Sequence, residues 1–326
     1  MKDLIDILPG IELSVGEVNR RLATMWEGEG DGSPSDARAS QMNVVLHFGW
    51  EVTEAEAHQR FEALIKFAQR YPSRIIVLCP SRSMTDGSMS AKLFSQCYIG
   101  DSHREMCCCE ALMLAYQPED CGFLGNQVSV WLEPDLPTYH WFNRVPASRI
   151  EQYFDSLLVG VRRCLYDSSI EGKHLDDLNW PNPDRVSDLA AARLLPVRQA
   201  MGQYLSGYGI GQLCHGLKAV CIGHAPGLSG EAQRLAEWIQ DCLADCNKCA
   251  GFEAQQVAYH ISDCPSPDCS LTLEMEYRDD RYFRWRKLAE GNMSTVEASL
   301  GRCEERITTR VKPLSADQEI AEALFF

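Results

Sequence analysis

The chain has 326 residues, enough for two domains with cores of their own, and its 45% hydrophobic and 24% charged content is that of a folded soluble protein. A formal net charge of −15 argues against nucleic acid and anionic membrane surfaces as partners, because both require a basic footprint. No run approaches the ~18 apolar residues of a membrane span, and the start Met1-Lys2-Asp3-Leu4-Ile5-Asp6 has acids where a signal peptide needs an apolar core, so a cytoplasmic location is expected.

In chain order, Ser14 is placed to cap a helix through about Trp26, with Val15, Val18, Leu22 and Met25 as its apolar stripe. Residues 27–40 read as a polar Gly/Ser/Asp loop. Residues 42–50 then read as a buried strand. Thr53 followed by Glu56 is a capping box that opens a helix to about Arg70, its inner stripe Phe61, Leu64, Ile65 and Ala68. Pro72 turns the chain into the near-continuous apolar strand Ile75–Cys79, of the kind found in parallel sheets, so this is a βαβ unit. Strands are expected near 92–99 and 105–116.

Leu124, Val128, Trp131 and Leu132 fall at helical spacing, although Val128, Val130 and Leu132 also alternate as a strand would. Pro134 and Pro137 deny helical geometry to Glu133 and Leu136, so the chain turns there. The aromatic run that follows is too short for a helix and reads as a strand. Its alternation puts Tyr139 and Trp141 on one face and His140 and Phe142 on the other. The unit is helix, rigid turn, strand, as in a doubly wound α/β sheet. A short helix at 150–158 and a strand at 163–167 follow. Asn182 or Asp184 then starts a helix carrying Val186, Leu189 and Leu194, and Pro196 another over 197–204.

The glycine-rich stretch Ser206–Gly211 is the best linker, which divides the chain into domains of 1–205 and 206–326. The second half reads as a strand at 217–222, a helix from Ser229 to about Ala244, five further strands between 255 and 311, and a closing helix over 315–325. That is a smaller α/β or α+β domain with a mainly antiparallel sheet.

No nucleophile elbow, P-loop or sequence cluster of the eight histidines is visible, and Gly207-Tyr208-Gly209-Ile210-Gly211 precedes a strand where a pyrophosphate cradle would follow one. No catalytic residue, metal ligand or cofactor is therefore assigned. The fifteen cysteines are read as reduced thiols, mostly buried as small hydrophobes, since an odd count cannot pair completely within one chain. Two alternatives attach to Cys242, Cys246, Cys249, Cys264 and Cys269: a thiolate metal site, or a reversible disulfide at Cys246-Asn247-Lys248-Cys249. Arg193 and Arg198 flank a helix boundary, where they bind phosphate, meet an acidic partner, or pair with Asp184 or Asp188.

Three stretches together resemble the OpcA-like glucose-6-phosphate dehydrogenase assembly proteins. The first is Tyr71-Pro72-Ser73-Arg74 entering a valine-rich strand. The second is Pro134-Asp135-Leu136-Pro137 followed by Trp141-Phe142, similar to the family's P-D-x-P-x-x-x-W-W. The third runs from Asp188 to Arg198, similar to D-L-x-W-x-R-L-x-x-W-R, with Ala191 and Val197 where the family has tryptophan. The likeness covers roughly residues 41–205. It implies a Rossmann-like doubly wound first domain and a non-catalytic activator that binds glucose-6-phosphate dehydrogenase and promotes its active oligomer in the pentose phosphate pathway. Thiol redox control, known among photosynthetic relatives, would give the cysteines a use. On this reading Asp135, Tyr139, Trp141, Arg193 and Arg198 face the partner. The competing readings are a sugar-phosphate or nucleotide-binding enzyme using Arg193 and Arg198, and a cysteine-based redox or metal sensor.

Overall fold

The runs Met42–Phe48 and Ser73–Pro80 are buried at every position, which is what strands covered on both faces require. The computed structural model describes residues 3–25, 40–81, 89–99, 106–117, 121–171, 175–250, 256–264, 268–301 and 303–326; most of the expected loop at 27–40 lies outside them. The chain divides into two compact units, one of residues 1–167, 173–188 and 316–326, the other of 168–172 and 189–315. The expected boundary at 205/206 therefore falls inside the second unit. The glycines of 206–211 lead into another helix there and link no domains.

The first unit contains α1 (Leu4–Ile7), β1 (Ile11–Leu13), α2 (Val18–Met25), β2 (Met42–Phe48), α3 (Glu54–Arg70), β3 (Ser73–Pro80), β4 (Ser90–Ile99), β5 (Met106–Tyr116), α4 (Cys121–Trp131), β6 (Thr138–Asn143), α5 (Ala147–Glu151), β7 (Arg163–Tyr166) and β8 (Val186–Asp188). Its sheet runs β1-β4-β5-β3-β2-β6-β7-β8. The six strands from β5 to β8 in that order are parallel, while β4 and β1 add on antiparallel at one edge. Thr53 caps α3 as the capping box implies, its hydroxyl accepting from the Glu56 amide at 3.2 Å. One sheet face packs Val45, Ile76, Leu112 and Phe142 against Leu124, Trp131, Ile150 and Tyr153. On the other, the Arg60 guanidinium of α3 lies 5.9 Å from the Trp141 ring centroid.

The second unit holds α6 (Ser168–Glu171), α7 (Leu189–Arg193), α8 (Leu195–Leu205), α9 (Ile210–Cys214), β9 (Leu217–His224), α10 (Ser229–Ala250), β10 (Ala258–Asp263), β11 (Cys269–Tyr277), β12 (Tyr282–Leu288), β13 (Met293–Ser299) and β14 (Glu305–Arg310). Its sheet, β10-β9-β11-β12-β13-β14, is antiparallel except for the β9–β10 pair joined through α10. Its core gathers Val220, Phe283 and Trp285 from the strands with Leu235 and Ile239 from α10. The last helix, α11 (Ala316–Phe325), returns to the first unit, where Phe325 meets Phe67, Tyr71 and Tyr139.

Three expectations are corrected. Val186 opens the short strand β8 after a 3₁₀ turn over Pro183–Arg185, where a helix was expected; three residues are too few to show an alternating pattern. Cys97 and Cys108, opposite each other in the β4–β5 pair, form a disulfide, so the thiols are not all reduced. Among the described free cysteines only Cys79, Cys109, Cys164 and Cys214 are buried, while Cys242, Cys249 and Cys303 are exposed.

Candidate functional site

The turn between α4 and β6 is held by two buried polar side chains from neighbouring strands. Asn43, at the start of β2, is fully buried. Its amide nitrogen donates to the Glu133 carbonyl at 3.0 Å and lies 3.4 Å from that of Leu136, and its amide oxygen accepts from the Glu133 N–H at 2.9 Å. Its backbone N–H donates to the Pro137 carbonyl at 2.9 Å. Prolines donate nothing, so beside the turn's own bond from the Leu136 N–H to the Glu133 carbonyl at 3.3 Å, Asn43 adds hydrogen bonds from outside. Arg74, near the start of β3, donates through Nε to Glu110 Oε1 at 2.7 Å, through Nη1 to the Trp131 carbonyl at 3.0 Å, and through Nη2 to Glu133. At the apex of this braced turn, Pro134 and Asp135 are exposed.

Beside the turn lies a cleft of about 580 Å³, formed wholly within the first unit. Pro137 and Tyr139 of the β6 approach line it, with Arg162 and Arg163 at the start of β7, Asp184 and Arg185 just before β8, and Phe325 of α11. Arg163 Nη1 donates to the Ala323 carbonyl at 3.1 Å, satisfying one of the acceptors left open at the end of α11. Turn and cleft both occupy the amino-terminal edge of the parallel strands.

At the opposite edge the chain reverses its direction of travel across the sheet between β2 and β6, the place where open α/β sheets hold ligands. Here Gly49 donates its N–H to the Asn143 carbonyl at 2.8 Å, and a Cβ on Gly49 would stand 1.6 Å from the Arg144 carbonyl oxygen. Arg144 itself has φ +55° and pairs with Glu56 at 2.8 Å. The chain's own backbone thus packs this crevice. Beneath it, His47 Nδ1 lies 3.2 Å from His140 Nε2, and His47 Nε2 2.7 Å from the Tyr116 hydroxyl, which is in turn bonded to Tyr153. Burial pushes the His47 pKa down to about 3 and that of His140 well below the ordinary range, so both rings are neutral.

The residues expected to face a partner fall into different places. Asp135 is exposed on the turn. Tyr139 and Trp141 are only 5% and 2% exposed, because β6 lies between β2 and β7 with helices over both sheet faces. Both of its alternating faces are core, and only the edge of Tyr139 reaches the cleft. Arg193 donates through Nε to Glu231 at 2.6 Å and through Nη2 to Ser169 at 2.7 Å, within the second unit. Arg198 is half-buried on α8 of the same unit, near Cys242. Sequence reasoning missed Asn43, Glu110, Arg162, Arg163 and Arg185; only the paired arginines at 162–163 carried a visible signal. Cys242, Cys246 and Cys249 lie along the single helix α10, and among the described residues no group of three or more His, Cys, Asp or Glu is placed to hold a metal.

Residues 65–179 match the family model of OpcA-type assembly proteins described as the glucose-6-phosphate dehydrogenase subunit N-terminal domain. Over this segment the chain is similar to OpcA-type proteins. The OpcA-type segment takes in Arg74, Glu110, the braced turn, Arg162 and Arg163. A protein of Synechocystis sp. named OpcA, provisionally placed in the OxPP cycle, is 30% identical over 131 residues, covering 38% of this chain and 27% of that one. Its counterpart in Synechococcus elongatus is 27% identical over 152 residues, covering 41% and 34%. The chain thus aligns with about a third or less of the length of these OpcA relatives. A solved glucose-6-phosphate 1-dehydrogenase from Mycobacterium avium overlaps 88% of this chain and 87% of its own at 9% identity, with a TM-score of 0.45. That score carries no weight for fold or function. Among the described residues no helix is long and apolar enough to cross a membrane.

Proposed function

We propose that this chain binds a glucose-6-phosphate dehydrogenase in the cytoplasm and promotes its active assembly, without performing the dehydrogenase reaction itself. The observation that carries the reading is the Pro134–Pro137 turn, which lies inside the OpcA-type segment, is exposed at its apex and is braced from below by Arg74 of that segment and by Asn43 of the preceding strand. A turn already held in one conformation loses little ordering entropy when a partner docks. We read the first unit as Rossmann-like, since its parallel strands follow the order 3-2-1-4-5-6 when numbered along the chain. In that fold the ligand crevice lies at the carboxyl ends of the strands, which Gly49 and Arg144 fill here. That packing favours a scaffold over a dinucleotide enzyme.

Of the residues first assigned to the partner surface, Asp135 is the one whose placement suits docking, and Tyr139 and Trp141 support the turn from within the core. Titrating the chain into an assay of the matching dehydrogenase should raise its rate or lower its substrate requirement. Asp135→Ala should keep the melting temperature within a few degrees and weaken that stimulation at least several-fold. No change in rate at saturating chain would reject the assembly reading. Full stimulation by folded Asp135→Ala would reject the role given to the turn.

A further inference from the structure

From the cleft at the amino ends of β6, β7 and β8, we infer that the first unit carries a binding site for a phosphorylated, sugar-sized metabolite, held by Arg162, Arg163 and Arg185. The inference goes beyond partner binding and does not depend on it.

Three guanidinium groups share this cleft with one carboxylate, Asp184, leaving a surplus of two positive charges in a chain whose net charge is −15. Like charges gathered in a concave site repel one another and raise the local potential, which an anion relieves. A phosphate monoester dianion matches that surplus. Guanidinium is also the side-chain group best shaped for it, offering a planar fork of N–H donors to paired oxygens. Arg163 is already anchored on the Ala323 carbonyl, which leaves its remaining donors for another acceptor. Among the described residues, no carboxylate lies within ion-pair distance of Arg162 or Arg185.

Shape narrows the ligand. A cleft of about 580 Å³ is of the size that holds small molecules. Its wall includes Tyr139 and Phe325, whose rings meet edge to face at 6.3 Å and 87°. The half-buried Phe325 ring, backed by Tyr139, offers an apolar surface there, while the arginines take the charged end. Arg162 and Arg185 are exposed, so replacing them removes ligand contacts without opening the core.

Isothermal titration of the full chain with glucose 6-phosphate, glucose and inorganic phosphate, in low-salt buffer at pH 7.5, tests the site. The expected result is saturable binding of glucose 6-phosphate, weaker competing binding of inorganic phosphate and none of glucose. Affinity should fall about tenfold or more in Arg162→Gln and in Arg185→Gln, with the circular dichroism and melting temperature of each unchanged. Absence of saturable binding by both phosphate compounds, equal binding of glucose, or full affinity in the double variant would overturn the inference. So would capture of a glutamate-rich peptide without binding of either phosphate compound, since the cleft would then serve an acidic segment. No dehydrogenase enters the experiment, so its outcome is independent of the assembly assay.

Discussion

Arg74, near the start of β3, forms an ion pair with Glu133, the residue that opens the turn before β6. The contact joins two of the sequence stretches that resemble the OpcA family, one around Tyr71–Arg74 and the other around Pro134–Pro137. They lie far apart in the chain but touch at the edge of the sheet. Because the same guanidinium also holds Glu110 and the Trp131 carbonyl, the position of the exposed turn is set by the core beneath it.

Loss of Arg74, which strands buried Glu110, should therefore cost far more than loss of the Glu133 charge alone. The Glu110 side chain is 3% exposed and that of Glu133 is 34% exposed. Arg74→Met removes the partner of a buried carboxylate and should cost about 3–5 kcal/mol, whereas Glu133→Gln should cost about 0–1 kcal/mol. Urea denaturation of the two variants measures the difference; equal losses would mean that the Arg74–Glu110 pair does not anchor the edge.

The buried His47–His140 pair makes stability depend on pH. In the unfolded chain both rings take up protons below about pH 6.5, while folded His47 resists protonation until about pH 3. The unfolded state then binds more protons, so stability is fully present above about pH 6.5 and falls as pH drops toward 3. The slope is about 1.4 kcal/mol per pH unit for each excess proton. Urea midpoints at pH 7.5, 6.5 and 5.5 should fall accordingly, and His47→Gln should show a shallower decline over the same window.

The Cys97–Cys108 disulfide closes a short loop between adjacent strands. Reduction should lower stability by about 3 kcal/mol through the greater freedom of the unfolded chain. A Cys97→Ser/Cys108→Ser variant should melt like the reduced protein and show no further response to dithiothreitol. A wild-type melting temperature indifferent to reductant would exclude the bond as a stabilising element.

Gly49 has no room for a side chain. A methyl group there would overlap the Arg144 carbonyl, a backbone atom that cannot swing aside. Gly49→Ala should therefore destabilise by about 3 kcal/mol or more, seen as reduced soluble yield and a lowered urea midpoint. Gly122 on α4 meets nothing within 4 Å at the same test, and Gly122→Ala should be neutral or stabilising.

Local pattern was enough to read most elements of this protein. The capping pair Thr53 and Glu56, the apolar run Ile75–Cys79 and the prolines at 134 and 137 act on their own neighbourhood, and their consequences stand where the sequence placed them. Whether Tyr139 and Trp141 face solvent was undecidable from alternation alone, since period two separates two faces without saying what covers either. The strands β2 and β7 beside them, and the helices over both faces, decided it. The return of α11 to the first unit, the bracing of the turn by Asn43 and Arg74, and the gathering of Arg162, Arg163 and Arg185 around one cleft depend on contacts between distant segments. Such contacts leave no periodic trace in the chain, because they are set by sheet order and register, which exist only once the strands have paired.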